Sequence, residues 1–212
     1  VKKILLIEDR YKRQRLFSQQ TGIELEKYSD ILNNCIEDKY NEFMNEILID
    51  DFNLGSYDII VTHKSAFGDD NGVIIEKLEK HCEKYNKPLV LFSGGIVGSY
   101  YNSEVYKVLE LNSKTFYSRN LILFLEAIKK ENENLLMLPY GKQWKLNIIL
   151  NVIENLNLYI DTKDVDLRKY VDMDSLTSIN IACDSIDIND EMKKVIAFRD
   201  CLLTIVKDAA NE

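Results

Sequence analysis

Three short segments of this chain share one design: "VKKILLIEDR" at the front, "YDIIVTHKSAFGDD" at 57 to 70, and "KPLVLFSGG" from Lys87. Each is an uninterrupted apolar run that stops at polar residues or glycines. A strand with one wet face alternates apolar and polar residues, so an unbroken run needs cover on both faces, as in the parallel sheet of an α/β protein. That requirement narrows the fold more than any other feature of the sequence.

The segments between the runs supply the cover. "RYKRQRLFSQQ" predicts a helix, "YSDILNNC" a short second strand, and "NEFMNEILIDDF" a helix with Phe43, Ile47 and Leu48 on one side. "GVIIEKLEKHCEKYN" places Ile74, Leu78, Cys82 and Tyr85 along one stripe. After the third run, "SEVYKVLEL" reads as a helix, "SKTFYS" as a short edge strand and "NLILFLEAIKKE" as the closing helix. The expectation is five βα repeats forming a doubly wound, flavodoxin-like, five-stranded parallel sheet over residues 1–131. Reactive or ligand-binding groups in such sheets sit at the carboxyl ends of the strands, here Glu8, Asp9, His63, Ser93 and Gly94.

At 212 residues the chain exceeds one ordinary core, and "LLMLPYGKQW", with the second of two prolines and the only tryptophan, marks a joint. Residues 139–212 are expected to be all helical and to pack on the first part. "KLNIILNVIENLNLYI" and "NDEMKKVIAFRDCLLTIVKDAA" are long amphipathic segments, with "DLRKYV" and "SLTSINIAC" as shorter helices between them. The two long segments carry more apolar residues than one stripe needs, which predicts a protein partner or a second copy on the free face. With 27 basic against 35 acidic residues and no basic half, a nucleic-acid partner is not expected. No apolar run is long enough to cross a membrane, and "ILLI" is too short for a leader, so a cytoplasmic location is the expectation. Four cysteines lie far apart with no C-x-x-C pair and suggest neither a zinc site nor a disulfide framework.

Residues 2 to 130 resemble the receiver domain of bacterial response regulators. In that family two acidic residues close the first strand and help hold Mg²⁺, and "ILLIED" puts Glu8 and Asp9 there. An aspartate that accepts a phosphoryl group closes the third strand; in "DIIVTH" that place is held by His63. A Ser or Thr followed by a small residue closes the fourth, matched by Ser93 and Gly94 in "LVLFSG". A Lys-Pro pair normally closes the fifth, where "TFYSRN" has Tyr117 and Ser118. The resemblance thus implies a degenerate receiver with two anchors kept and two lost.

The lost aspartate bears on the chemistry. Mg²⁺ prefers carboxylate, carbonyl and water oxygens, so the imidazole disfavours it and leaves Glu8 and Asp9 as a weak metal pair. No cofactor is expected. A protonated His63, beside Lys64, would supply the missing positive charge between the carboxylates. The plainer alternative is a polar strand-end residue, and a phosphohistidine is a third. "DRYKRQR" sets Arg10, Lys12, Arg13 and Arg15 near the acidic pair, as an anion site or a solvated helix face. "SGGIVGSYY" is Gly-rich without matching a nucleotide-binding fingerprint. Tyr100, Tyr101 and Tyr106, read as part of a helix, make a candidate protein-interaction surface.

Two function classes follow. The favoured one is a non-catalytic signalling module, a degenerate receiver with a helical partner-binding or dimerisation tail. The alternative is an enzyme on a flavodoxin-like scaffold, acting on a nucleotide or phosphoester with His63, Asp9 and Ser93.

Overall fold

The computed structural model describes residues 2–33, 37–49, 54–163 and 192–210, with backbone alone at 31–33, 37, 38 and 210. The chain divides into two compact units, Val1–Lys142 and Gln143–Glu212.

The first unit is built on a sheet of six strands: β1 (Ile4–Glu8), β2 (Ser29–Asn33), β3 (Ile59–His63), β4 (Leu89–Ser93), β5 (Ser99–Asn102) and β6 (Val108–Asn112). Their order is β2-β1-β3-β4-β6-β5; all neighbours are parallel except the β5/β6 pair. From β1 the chain moves outward to β2, then returns to place β3 on the other side of β1. The carboxyl ends of β1 and β3 therefore face a crevice from which the crossovers diverge.

The apolar runs behave as expected. Every residue of β1 and β3 is buried, and β4 is buried up to Ser93. Leu5, Ile7, Ile60, Leu89 and Leu91 join Ile74, Leu78 and Cys82 in one core cluster. Each large apolar side chain buried there contributes about 1.5–3 kcal/mol.

Helix α1 (Tyr11–Thr21) ends where Gly22 turns left-handed at φ 72° and its N–H bonds the Ser18 carbonyl. Helix α2 is Glu37–Leu48. The Lys77 ammonium donates to the Ile47 and Leu48 carbonyls, occupying the end where a cation suits both the unpaired carbonyls and the helix dipole. Helix α3 (Asn71–Tyr85) buries Ile74, Leu78 and Cys82 as predicted, but Tyr85 is exposed and falls off the stripe.

The region after β4 corrects the sequence reading. The stretch read as a helix, 103–111, forms a turn and most of β6, with β5 just before it, so the sheet has six strands instead of five and an antiparallel edge. Gly98, at φ 85°, opens the hairpin, and Asn102 turns the chain by accepting from Glu104 N–H at 2.9 Å. β6 buries Leu109 and Leu111 and leaves Val108, Glu110 and Asn112 half-buried, the alternation of a strand covered more on one face. The stretch read as an edge strand is helix α4 (Ser113–Phe116), capped by Asn112 accepting from Lys114 N–H at 2.9 Å. The Asn112 amide also donates to the Ile96 and Gly94 carbonyls at 2.8 and 3.2 Å, pinning the loop that leads into β5. Helix α5 (Arg119–Lys129) and the short α6 (Met137–Tyr140) complete the unit.

In the second unit, α7 (Trp144–Thr162) packs against α8 (Met192–Ala210), and Arg199 donates to Asn157 at 3.2 Å between them. α7 buries Ile148, Ile149, Val152, Ile153 and Leu156, and α8 buries Val195, Phe198 and Leu202. Leu150, Leu158 and Ile205 are exposed. "DLRKYV" and "SLTSINIAC" lie outside the described residues. No described helix is long and apolar enough to cross a membrane.

Candidate functional site at the ends of β1 and β3

Parallel pairing sets Ile7 beside Thr62, which brings Glu8 and Asp9, closing β1, next to His63, closing β3. The three side chains offer ligand atoms that all lie within 4.8 Å of one another. His63 Nδ1 stands 3.1 Å from Asp9 Oδ1. The same nitrogen receives the Ser65 N–H at 3.3 Å and lies 3.1 Å from Ser65 Oγ. Asp9 Oδ1 is buried yet accepts no hydrogen bond among the described residues, and His63 Nε2 is likewise buried and unpartnered. The His63 ring packs edge-on against Phe92, with centroids 5.2 Å apart.

Glu8 is fully buried, and its oxygens are held from three directions. Oε1 accepts from Arg10 N–H at 3.1 Å and faces the Arg13 guanidinium at 3.4 Å, while Oε2 accepts the Tyr117 hydroxyl at 2.9 Å. Tyr117 follows α4 instead of lying on an edge strand; it packs among Phe17, Phe92 and Phe116. Its phenol is pushed well above the usual range by burial and then by the adjacent Glu8, so it stays a neutral donor.

Burial pushes the Glu8 carboxyl up to about 8, the Asp9 carboxyl beside it adds to the rise, and Tyr117, Arg13 and Arg10 oppose it. The His63 imidazole moves the other way. Burial lowers it, Asp9 pulls it up, and Arg13 and Arg10 push it down, leaving it below its ordinary value. The directions run against the expected imidazolium between two carboxylates: the His63 imidazole is shifted down, and it is the Glu8 carboxyl that is shifted toward holding a proton. The physical reason is that a ring only 2% exposed, with two guanidiniums close by, resists charging more than one carboxylate favours it.

Mg²⁺, which the resemblance implies, does not fit this donor set. A hard ion that keeps several waters and wants an oxygen-rich octahedron meets an imidazole, His63, where the family offers a third carboxylate.

The remaining candidates separate from the cluster. Ser93 and Gly94 end β4, but Ser93 Oγ accepts only from Gly95 N–H, at 3.4 Å, and no hydrogen bond joins it to Glu8, Asp9 or His63 among the described residues. The tyrosine surface is corrected residue by residue. Tyr101 points inward and is 4% exposed, and Tyr106 is half-buried against the core cluster, so Tyr100 alone is exposed, on strand β5 and on no helix. Lys64 turns away from the carboxylates to pair with Glu110 at 2.8 Å. Arg13, singled out as part of a basic helix face, is turned inward onto Glu8. Sequence reasoning missed Ser65, whose only signal was its place two residues after His63. No family model, no curated protein and no solved structure matches the chain.

Proposed function

We propose that the chain is a non-catalytic signalling module: a doubly wound, receiver-like unit that has lost phosphoryl transfer, followed by a helical region that serves a protein partner or a second copy. One observation carries the reading. The carboxyl ends of β1 and β3 meet at the topological reversal with an acidic pair on one strand and, at the acceptor place on the other, His63 with its ring nitrogen 3.1 Å from Asp9. The four inner strands and β2 follow the order of a flavodoxin-like sheet, and β5 is an addition at its edge. Phosphoryl transfer to a carboxylate needs an ionised oxygen nucleophile, a hard divalent ion and a cation for the transferred group. Here an imidazole stands at the acceptor place, burial raises the Glu8 carboxyl far above its ordinary range, and the fifth parallel strand, β6, closes on Asn112 where the family has a lysine.

The enzyme alternative requires His63, Asp9 and Ser93 to converge, and Ser93 makes its hydrogen bond within its own loop. For the partner surface the exposed Leu150, Leu158 and Ile205 of the helical region are the support.

Incubation of the chain with acetyl phosphate and Mg²⁺, followed by intact-mass spectrometry, tests the reading. The expected result is unmodified protein. A stoichiometric phosphoryl adduct overturns it.

A further inference from the structure

The place that disfavours Mg²⁺ has the donors for a different ion. We propose that Glu8, Asp9 and His63 bind a first-row transition ion, Zn²⁺ fitting best, in preference to Mg²⁺. This goes beyond the signalling reading and does not depend on it.

Three observations point there. First, two ligands on neighbouring positions of a zinc ion, each bonded at about 2.1 Å, stand about 3.0–3.4 Å apart. Asp9 Oδ1 and His63 Nδ1 are 3.1 Å apart, and the Glu8 carboxylate completes a triad within 4.8 Å. Second, Asp9 Oδ1 is buried without a hydrogen bond, although a ring nitrogen lies beside it. Because Nδ1 receives the Ser65 N–H, the two close atoms are both electron-rich, and a cation between them is what the geometry lacks. Binding takes the Nδ1 lone pair from the Ser65 N–H at 3.3 Å and displaces the Ser65 hydroxyl, 3.1 Å from the same nitrogen, toward solvent or another acceptor. Third, the ligands are already oriented from behind. Tyr117 and the Arg10 N–H hold Glu8, the kind of support that keeps metal-binding carboxylates in place.

Selectivity follows from the donors. One imidazole with two carboxylates suits zinc and its neighbours, whereas Mg²⁺ gains little from nitrogen and needs an octahedron rich in oxygen and water. Asp9 is the partly exposed member, at 23%, and leaves a side open to the incoming ion and to a water ligand. Arg13 at 3.4 Å from Glu8 and Arg10 at 3.8 Å from Asp9 oppose a cation, so affinity is moderate and removing Arg13 strengthens it.

The test is calorimetric titration of the full chain, stripped with chelator, with Zn²⁺ and separately with Mg²⁺. Histidine-ring NMR is recorded alongside, with His81 as the internal control, since the chain has only two histidines. The account expects one Zn²⁺ per chain, binding at least about tenfold tighter than Mg²⁺, with His63 ring signals moving and those of His81 still. His63→Ala should weaken Zn²⁺ at least about tenfold, and Arg13→Ala should tighten it. Because the NMR readout uses the unmodified chain, a variant that fails to fold leaves the proposal testable. No Zn²⁺ binding, equal preference for Mg²⁺, or binding that moves His81 or is abolished by Cys201→Ser while His63 stays unchanged overturns it.

Discussion

The two sides of the sheet were shaped by different constraints. β1, β3 and β4 are buried on both faces, whereas β6 buries alternate residues and β5 buries only Tyr101. A strand covered on both faces can be written only as an apolar run, and its reading is unambiguous. A half-covered strand at the edge is written with fewer apolar residues, and over eight or nine positions those fit a helix as well as a strand. In "SEVYKVLEL", Val105, Val108 and Leu109 have helical spacing, yet the pair that mattered was Leu109 and Leu111, two apart and both buried. The inner strands carry stability and the acidic pair; the edge carries shape.

That contrast can be broken by mutation. The largest effect is expected from Leu91→Ala on β4, where a fully buried side chain is lost from the core cluster. It should cost about 2–5 kcal/mol in urea unfolding. Tyr100→Ser on β5, at a side chain 53% exposed, should change stability by no more than about 0.5 kcal/mol. Equal costs at the two positions would mean that the edge strand is covered in solution.

An effect of intermediate size is expected from protonation of Glu8, measured with chelator present so that the metal-free chain is followed. Its folded value near 8 lies above the ordinary 4.5, so the folded state holds the proton more tightly than the unfolded chain does. The stabilisation is complete below pH 4.5 and is lost progressively as pH rises toward 8. Glu8→Gln, which cannot ionise, should flatten that loss and leave the variant the more stable of the two above pH 8. A wild-type profile that is flat from acid to neutral pH would show that Glu8 is ionised in the folded chain.

A further effect is local. Asn112→Ala removes the α4 cap and two bonds to the loop before β5, and should cost about 1–2 kcal/mol. Hydrogen exchange should accelerate between residues 94 and 102 and not in β1 or β3. A uniform acceleration would show that the hairpin unfolds only with the whole sheet.

The contrast also explains what could be read ahead. Glu8, Asp9 and His63 were legible as one site because each ends a buried run, and parallel pairing aligns such ends. Tyr117 was singled out on an expected edge strand that is helix α4 instead, and its bond to Glu8 spans 109 positions and depends on that helix. For His63 the expected upward shift is instead a downward one. Counting nearby carboxylates overlooked that the ring is almost fully enclosed and that Arg13 points inward. Burial at an individual atom is a product of packing, and no residue spacing expresses it. The tyrosines failed for the same reason as the edge: Tyr100 and Tyr101 are neighbours in sequence, and a strand sends neighbours to opposite faces.

The central claim is that the strand-end site has the layout of a phosphoryl acceptor without the chemistry. Beryllofluoride with Mg²⁺, a mimic of the acyl-phosphate state, examines it on the unmodified chain through backbone amide NMR. The account predicts no bound fluoride signal and unmoved amides at Glu8, Asp9, His63, Ser93 and Gly94 beyond what Mg²⁺ alone produces. A saturable shift at those amides, accompanied by a bound fluoride resonance, would contradict it.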